Sequence, residues 1–156
     1  MRLSEGVEWG LHCCLTLAWI GNKEPVPTAK LAAHFDVPPA YLNKCLQALV
    51  RAGILLSVAG AHGGFQLAKA PAELTLLDVV TAIEGPDEAF RCTEIRRSEG
   101  CTRDENRRPC AIAAAMHQAE AAWRAALSAH TLANIMTAAP PAAAERTRRW
   151  YALIRR

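Results

Sequence analysis

Five side chains carry most of the chemistry this sequence offers: Glu8 and His12 near the start, and Cys92, Cys101 and Cys110 in a polar stretch farther on. A carboxylate, an imidazole and three thiols are all metal-ligating groups, and thiols also exchange with disulfides. Glu8 and His12 lie four residues apart within GVEWGLHCC, so a helix there puts them on one face, about 5–6 Å apart at Cβ. An ionised carboxylate is costly in apolar company unless something compensates it. The pair therefore reads as half of a metal site or as a buried, metal-free Glu–His hydrogen bond. The three cysteines are separated by eight residues each. Structural zinc usually takes four ligands with a closely spaced pair, and the chain has no C-x-x-C or H-x-x-x-H. A thiol switch needs only two cysteines. An iron–sulfur cluster tolerates irregular spacing, because a loop can wrap it and it brings its own sulfide. Three unrelated thiols is the remaining reading.

These groups need a scaffold. The chain has 156 residues, enough for one domain or a small domain with an arm. Half of it is apolar, which supplies a core, and the net charge of +3 permits nucleic-acid binding without demanding it. The apolar run GLHCCLTLAWI is not expected to be a leader peptide, since Glu5 and Glu8 precede it and His12 interrupts it. No run approaches the ~20 apolar residues of a membrane span. The expectation is a cytoplasmic protein with no membrane partner. Reducing surroundings disfavour a disulfide scaffold, so Cys13, Cys14 and Cys45, in helical apolar patterns, are expected in the core.

The first helix is expected over residues 4–20, with Ser4 as N-cap and Gly21-Asn22 as the stop. After a proline-rich connector, Thr28 is expected to cap a short helix ending near Phe35. Pro39 suits the first position of the next helix. There Leu42, Leu46, Leu49 and Val50 share one stripe, and Asn43, Lys44, Gln47 and Arg51 the opposite one. Two short helices joined by a tight turn match a helix-turn-helix. ILLSVAGAHGGFQLAKA then reads as a β-hairpin, and a hairpin in that place is a wing. Thr75 and Asp78 form a capping-box pattern for a helix stopped by Gly85-Pro86. After Pro109 a single helix is expected to about Met136, with Ile112, Met116, Ala119, Trp123, Leu127 and His130 along one stripe. At ~40 Å it outreaches a core this small, so its stripe needs a partner, most simply the same helix of a second subunit. The resulting organisation is a winged helix-turn-helix domain (1–85), a cysteine loop (86–110), a dimerisation helix (111–136) and a C-terminal tail (137–156), the tail being a short helix or unstructured.

The ordered set LSEGVEW, PPAYLNKCLQALVRAGIL, SVAGAHGGFQLA and LTLLDVVTAIEG, followed by a cysteine loop and a long helix, resembles the Rrf-two family of winged helix-turn-helix transcriptional regulators, the IscR- and NsrR-type repressors. Glu8 and His12 around Trp9 are most similar to the redox-sensing RsrR-type members. The resemblance implies a mainly α fold with a β-hairpin wing and a long C-terminal dimerisation helix. It also implies a homodimer that binds double-stranded DNA and carries a cluster at its interface. Loop cysteines of one subunit and helix-one residues of the other would then be ligands, so Glu8 and His12 complete a 2Fe–2S cluster held by two cysteines. Cys92, Cys101, Cys110, Glu8 and His12 are five candidates for four places, and one cysteine is spare. Three cysteines and one carboxylate would also fit 4Fe–4S. Some members ligate through a His three residues after the last Cys; that position is Ala113 here, and His117 is a helix-face residue.

The ligand choice has a consequence. An oxidised 2Fe–2S core is formally +2, so four thiolates give −2, whereas two thiolates, a carboxylate and a neutral imidazole give −1. Reduction is then less opposed by charge, and a reversible redox cycle is expected. Trp9, between the ligands, reads as a switch or as an ordinary core tryptophan. On DNA, Asn43, Lys44 and Gln47 are expected at base edges, and Thr28, Tyr41 and Arg51 at phosphates. In the wing, only His62 stands where an Arg would enter the minor groove. Two other readings compete: a winged-helix repressor without a cluster, sensing thiol oxidation or a small ligand, and a metal or thiol enzyme. No phosphate-binding glycine loop precedes a helix, which counts against the enzyme.

Overall fold

Helix α1 (Glu5–Ile20) is the hub of the fold. The computed structural model describes residues 3–21, 24–98 and 110–154. Among them α1 packs chiefly against four other helices and one strand, so an apolar surface nearly all round is what its position demands. Cys13 and Cys14 are fully buried, together with Leu17 and Ile20. Gly10 is where α1 comes closest to its neighbours: a Cβ there would lie 2.5 Å from Ile83 Cδ1. Ser4 occupies the N-cap position, but its hydroxyl does not cap the helix. Ser4 Oγ donates instead to Glu84 Oε1 at 2.6 Å, and Ser4 N to the same atom at 2.9 Å, which ties the start of α1 to the last residue of a later helix.

The helix-turn-helix is formed by α2 (Thr28–Phe35) and α3 (Pro39–Arg51). Thr28 is the first residue inside α2 rather than its cap; Pro27, held extended, precedes it. The Thr28 hydroxyl is drawn to the next helix, where it donates to Asn43 Oδ1 at 3.4 Å. Asp36 closes α2 in the left-handed region, with φ 52° and its N–H on Ala32 O, a conformation Asp tolerates better than most residues. Pro39 opens α3 as expected, and Leu42, Leu46 and Leu49 are fully buried beneath it.

Strands β1 (Leu55–Val58) and β2 (Gly64–Leu67) pair antiparallel, Leu55 opposite Leu67 and Val58 opposite Gly64. Val26 adds a rung by pairing with Phe65. A Cβ at Gly64 would lie 2.3 Å from the Val26 carbonyl carbon, so only glycine admits this approach, and the next residue, Phe65, turns into the core. Helix α4 (Leu76–Glu84) carries the expected capping box: Asp78 N donates to Thr75 Oγ1 at 3.1 Å, and Thr75 N to Asp78 Oδ2 at 2.8 Å.

The single helix expected over 111–136 is two helices, α5 (Ala111–Ser128) and α6 (Leu132–Ala138). The break has a definite cause. Residues 130–132 run extended beside 74–76, with Leu76 N on His130 O at 2.9 Å and Leu132 N on Leu74 O at 2.7 Å. Thr131 and Asn134 then form a second capping box. Thus α5 is about 27 Å long at 1.5 Å per residue, and His130 belongs to the bridge rather than to a helical stripe. Only Ala113 of α5 is buried, while Ile112 is 70% exposed and Met116 44%. Of the two readings of the tail, the helix is the one that forms: α7 (Pro141–Ile154) buries Thr147 and Tyr151. Trp150 stacks on His34 of α2 at 4.0 Å, and Arg148 Nε donates to Trp19 O at 3.2 Å.

Candidate functional site

The outer face of α1 presents Glu8 and His12 to solvent. They line one open groove of about 400 Å³ with Leu3, Val7 and Leu11. The buried, hydrogen-bonded Glu–His pair that the sequence also allows does not form. Both side chains are exposed, and among the described residues no hydrogen bond or ion pair joins them. One edge of His12 meets Phe35 of α2, ring centroids 5.8 Å apart.

Cys92 is exposed in the segment after α4, and Cys110 is the N-cap residue of α5. The backbone N–H groups of Ala113 and Ile112 hold the Cys110 thiol below its ordinary value, as a helix N-terminus does. The segment bearing Cys92 is laid along α5: Ala89 N donates to Glu120 Oε2 at 2.9 Å, Glu88 reaches His117 Nδ1 at 3.3 Å, and Phe90 meets the His117 ring edge-on. His117 is thus a helix-face residue, as expected. Cys101 lies outside the described residues. Among the described residues no three His, Cys, Asp or Glu side chains converge, so one chain does not gather Glu8 and His12 with Cys92 or Cys110.

Of the three cysteines expected in the core, Cys13 and Cys14 are there and Cys45 is not. Burial pushes the Cys14 thiol up to about 12 and raises that of Cys13, where Cys14 and Cys45 add to the effect. Cys45 is half-buried on α3; burial raises its thiol, against an opposing pull from Lys44.

On the outer face of α3, Tyr41, Asn43, Lys44 and Arg51 are exposed and Gln47 half-buried, with Thr28 bonded to Asn43 beside them. His62 is exposed at the wing tip. Trp9 shares a cleft of about 690 Å³ with Tyr41, Lys44 and Arg51, lined also by Cys45 and Ile83. Sequence reasoning misses the Ser4–Glu84 tie and the close approach at Gly10. The signal for the second is present, in two small residues, Gly6 and Gly10, one helical turn apart in an otherwise bulky helix.

Two helices in a tight turn, the second presenting hydrogen-bonding side chains, followed by a hairpin, define a winged-helix DNA-binding protein. The profile of the Rrf2 family, described as an iron-dependent transcriptional regulator, matches residues 3–138, and the chain belongs to that family. The regulator NsrR of Geobacillus kaustophilus is 29% identical over 136 residues, covering 87% of this chain and 90% of its own. The structure of CymR, the global cysteine regulator of B. subtilis, superposes with a TM-score of 0.68 at 21% identity, over 90% of this chain and 99% of that one. The IscR of T. potens superposes with a TM-score of 0.67 at 20% identity, over 91% and 90%. The protein is a transcriptional regulator and not an enzyme. No described helix is long and apolar enough to cross a membrane.

Proposed function

We propose that the protein is a cytoplasmic, homodimeric redox sensor whose sequence-specific binding to double-stranded DNA is controlled by an iron–sulfur cluster at the dimer interface. The observation that carries this reading is the pair Glu8 and His12, one helical turn apart, exposed on one groove of α1 and without a hydrogen bond or ion pair among the described residues. An oxygen and a nitrogen donor facing outward together fit a cluster whose other ligands come from elsewhere. Glu8 and His12 of one protomer and two of the cysteines Cys92, Cys101 and Cys110 of the other would hold a 2Fe–2S centre. Bound there, the cluster supplies a reversible one-electron change in local charge. The family's iron dependence supports the same reading.

The chain's own residues supply the rest. Trp9 follows Glu8 directly and lines the cleft against Lys44 and Arg51, so a change at the groove reaches the DNA-binding helix through one side chain. Ile112 and Met116 offer the apolar stripe for a second copy.

Protein purified without oxygen should contain about two iron and two sulfide per chain and absorb in the visible. Glu8→Ala and His12→Ala should each lose most of that iron while circular dichroism stays unchanged. About four iron per chain would mean a 4Fe–4S centre. Colourless or zinc-loaded protein, with air exposure excluded, would reject the cluster and leave a winged-helix regulator that senses thiol oxidation or a small ligand.

A further inference from the structure

The winged-helix module is electrostatically unusual for a nucleic-acid binder. Residues 1–85 hold six lysines and arginines against seven aspartates and glutamates, a net −1, and residues 86–140 hold seven of each. The whole positive excess of the chain lies in residues 141–156, where five arginines face Glu145 alone, a net +4. This segment is beyond residues 3–138, the part shared with the family.

The structure places three of those five arginines on α7. Thr147, Trp150 and Tyr151 turn inward, which leaves Arg146 and Arg149, three residues apart, on the outer face. Both are exposed, and neither forms an ion pair among the described residues. The helix is not an unattached arm. Trp150 stacks on His34 of α2, and Arg148 grips the Trp19 carbonyl at the end of α1. Helix α7 packs mainly on α1 and meets α2 at His34, near the end of that helix; α2 is the element of a helix-turn-helix that crosses the DNA backbone, so α7 lies beside it.

We infer that α7 is a phosphate-binding arm, in which Arg146 and Arg149 contact the DNA backbone beside α2 and supply the sequence-independent attraction that the winged-helix module lacks. This rests on the chain's being a DNA-binding regulator. It assigns α3 the reading of sequence and α7 a large part of the affinity, since phosphate contacts position without specifying.

Because the phosphate contribution is independent of sequence, no operator is needed to test it. The probe is a random-sequence duplex of about 30 base pairs, titrated with the full chain by fluorescence anisotropy between ~50 and ~200 mM salt. R146A/R149A should flatten the log–log salt slope by about 0.9 for each phosphate that is no longer neutralised, or about 1.8 per chain. R146K/R149K, which keeps both charges, should retain the wild-type slope. An alanine variant with the wild-type slope overturns the proposal, as does a lysine variant that flattens as much as alanine. If Lys44→Ala flattens the slope and the arginine variants do not, α7 is excluded while DNA binding by α3 stands. A wild-type chain that binds no duplex at any salt rejects both.

Discussion

Trp9 connects two faces of one helix. Glu8, its neighbour, looks out over an open groove, while the indole lines the cleft beneath Tyr41, Lys44 and Arg51. If its packing couples the groove to α3, Trp9→Ala leaves iron content and visible absorption intact but uncouples DNA binding from redox state. The ratio of DNA affinities between oxidised and reduced wild-type protein, about 5- to 150-fold for a coupling of ordinary strength, should fall toward one. Anisotropy titrations at two controlled potentials measure it. The cysteines show how far residue type and context can be read from sequence. Cys13 and Cys14 stand in apolar helical sequence and are core, whereas Cys92 and Cys110 stand in polar sequence and are not. The exposure of Glu8 and His12 is less legible. Their apolar neighbours in sequence point to burial, and it takes the arrangement of helices around α1 to leave that one strip of it open.

At the level of elements, legibility follows locality. The α2–α3 turn and the wing announce themselves because Asp36, Pro39 and Gly64 each serve a conformation set within a few residues or by one close approach. The end of α5 does not. Ala125 to Met136 continues a helical pattern without a glycine or proline, and the interruption is imposed from far back in the chain by the backbone of 74–76. The one local cue is Thr131 followed at the third position by Asn134, a capping box without the usual Glu or Gln. Thr131→Ala should remove that cap, cost about 1 kcal/mol and lower the melting temperature by about 2–4 °C, as differential scanning calorimetry would show. Helix α7 is illegible for a related reason. Its inward stripe of Thr147, Trp150 and Tyr151 reads as amphipathic only once α1 and α2 provide something to pack against.

At the scale of the molecule, α5 is under-buried for its length. Eighteen residues contribute one buried side chain, and Ile112 and Met116 stay open to solvent. A second copy of the chain would cover them. The double variant I112D/M116D should then sediment at 16.9 kDa where the wild type sediments at twice that mass. Its DNA affinity should fall as well, because a dimer engages two half-sites at once. A wild-type chain that sediments as a monomer would remove this interface from the proposal. The charge distribution belongs to the same scale. A reader that is nearly neutral and a basic helix mounted beside it separate recognition from adhesion, and each can be altered without the other.

The antiparallel rung between Thr75 and Thr131 has one more consequence. It stitches the end of the chain into its middle by main-chain groups, independent of the polypeptide that links them. A chain broken in its backbone between residues 98 and 110 would therefore give two fragments that migrate as one particle on gel filtration, and part only in denaturant.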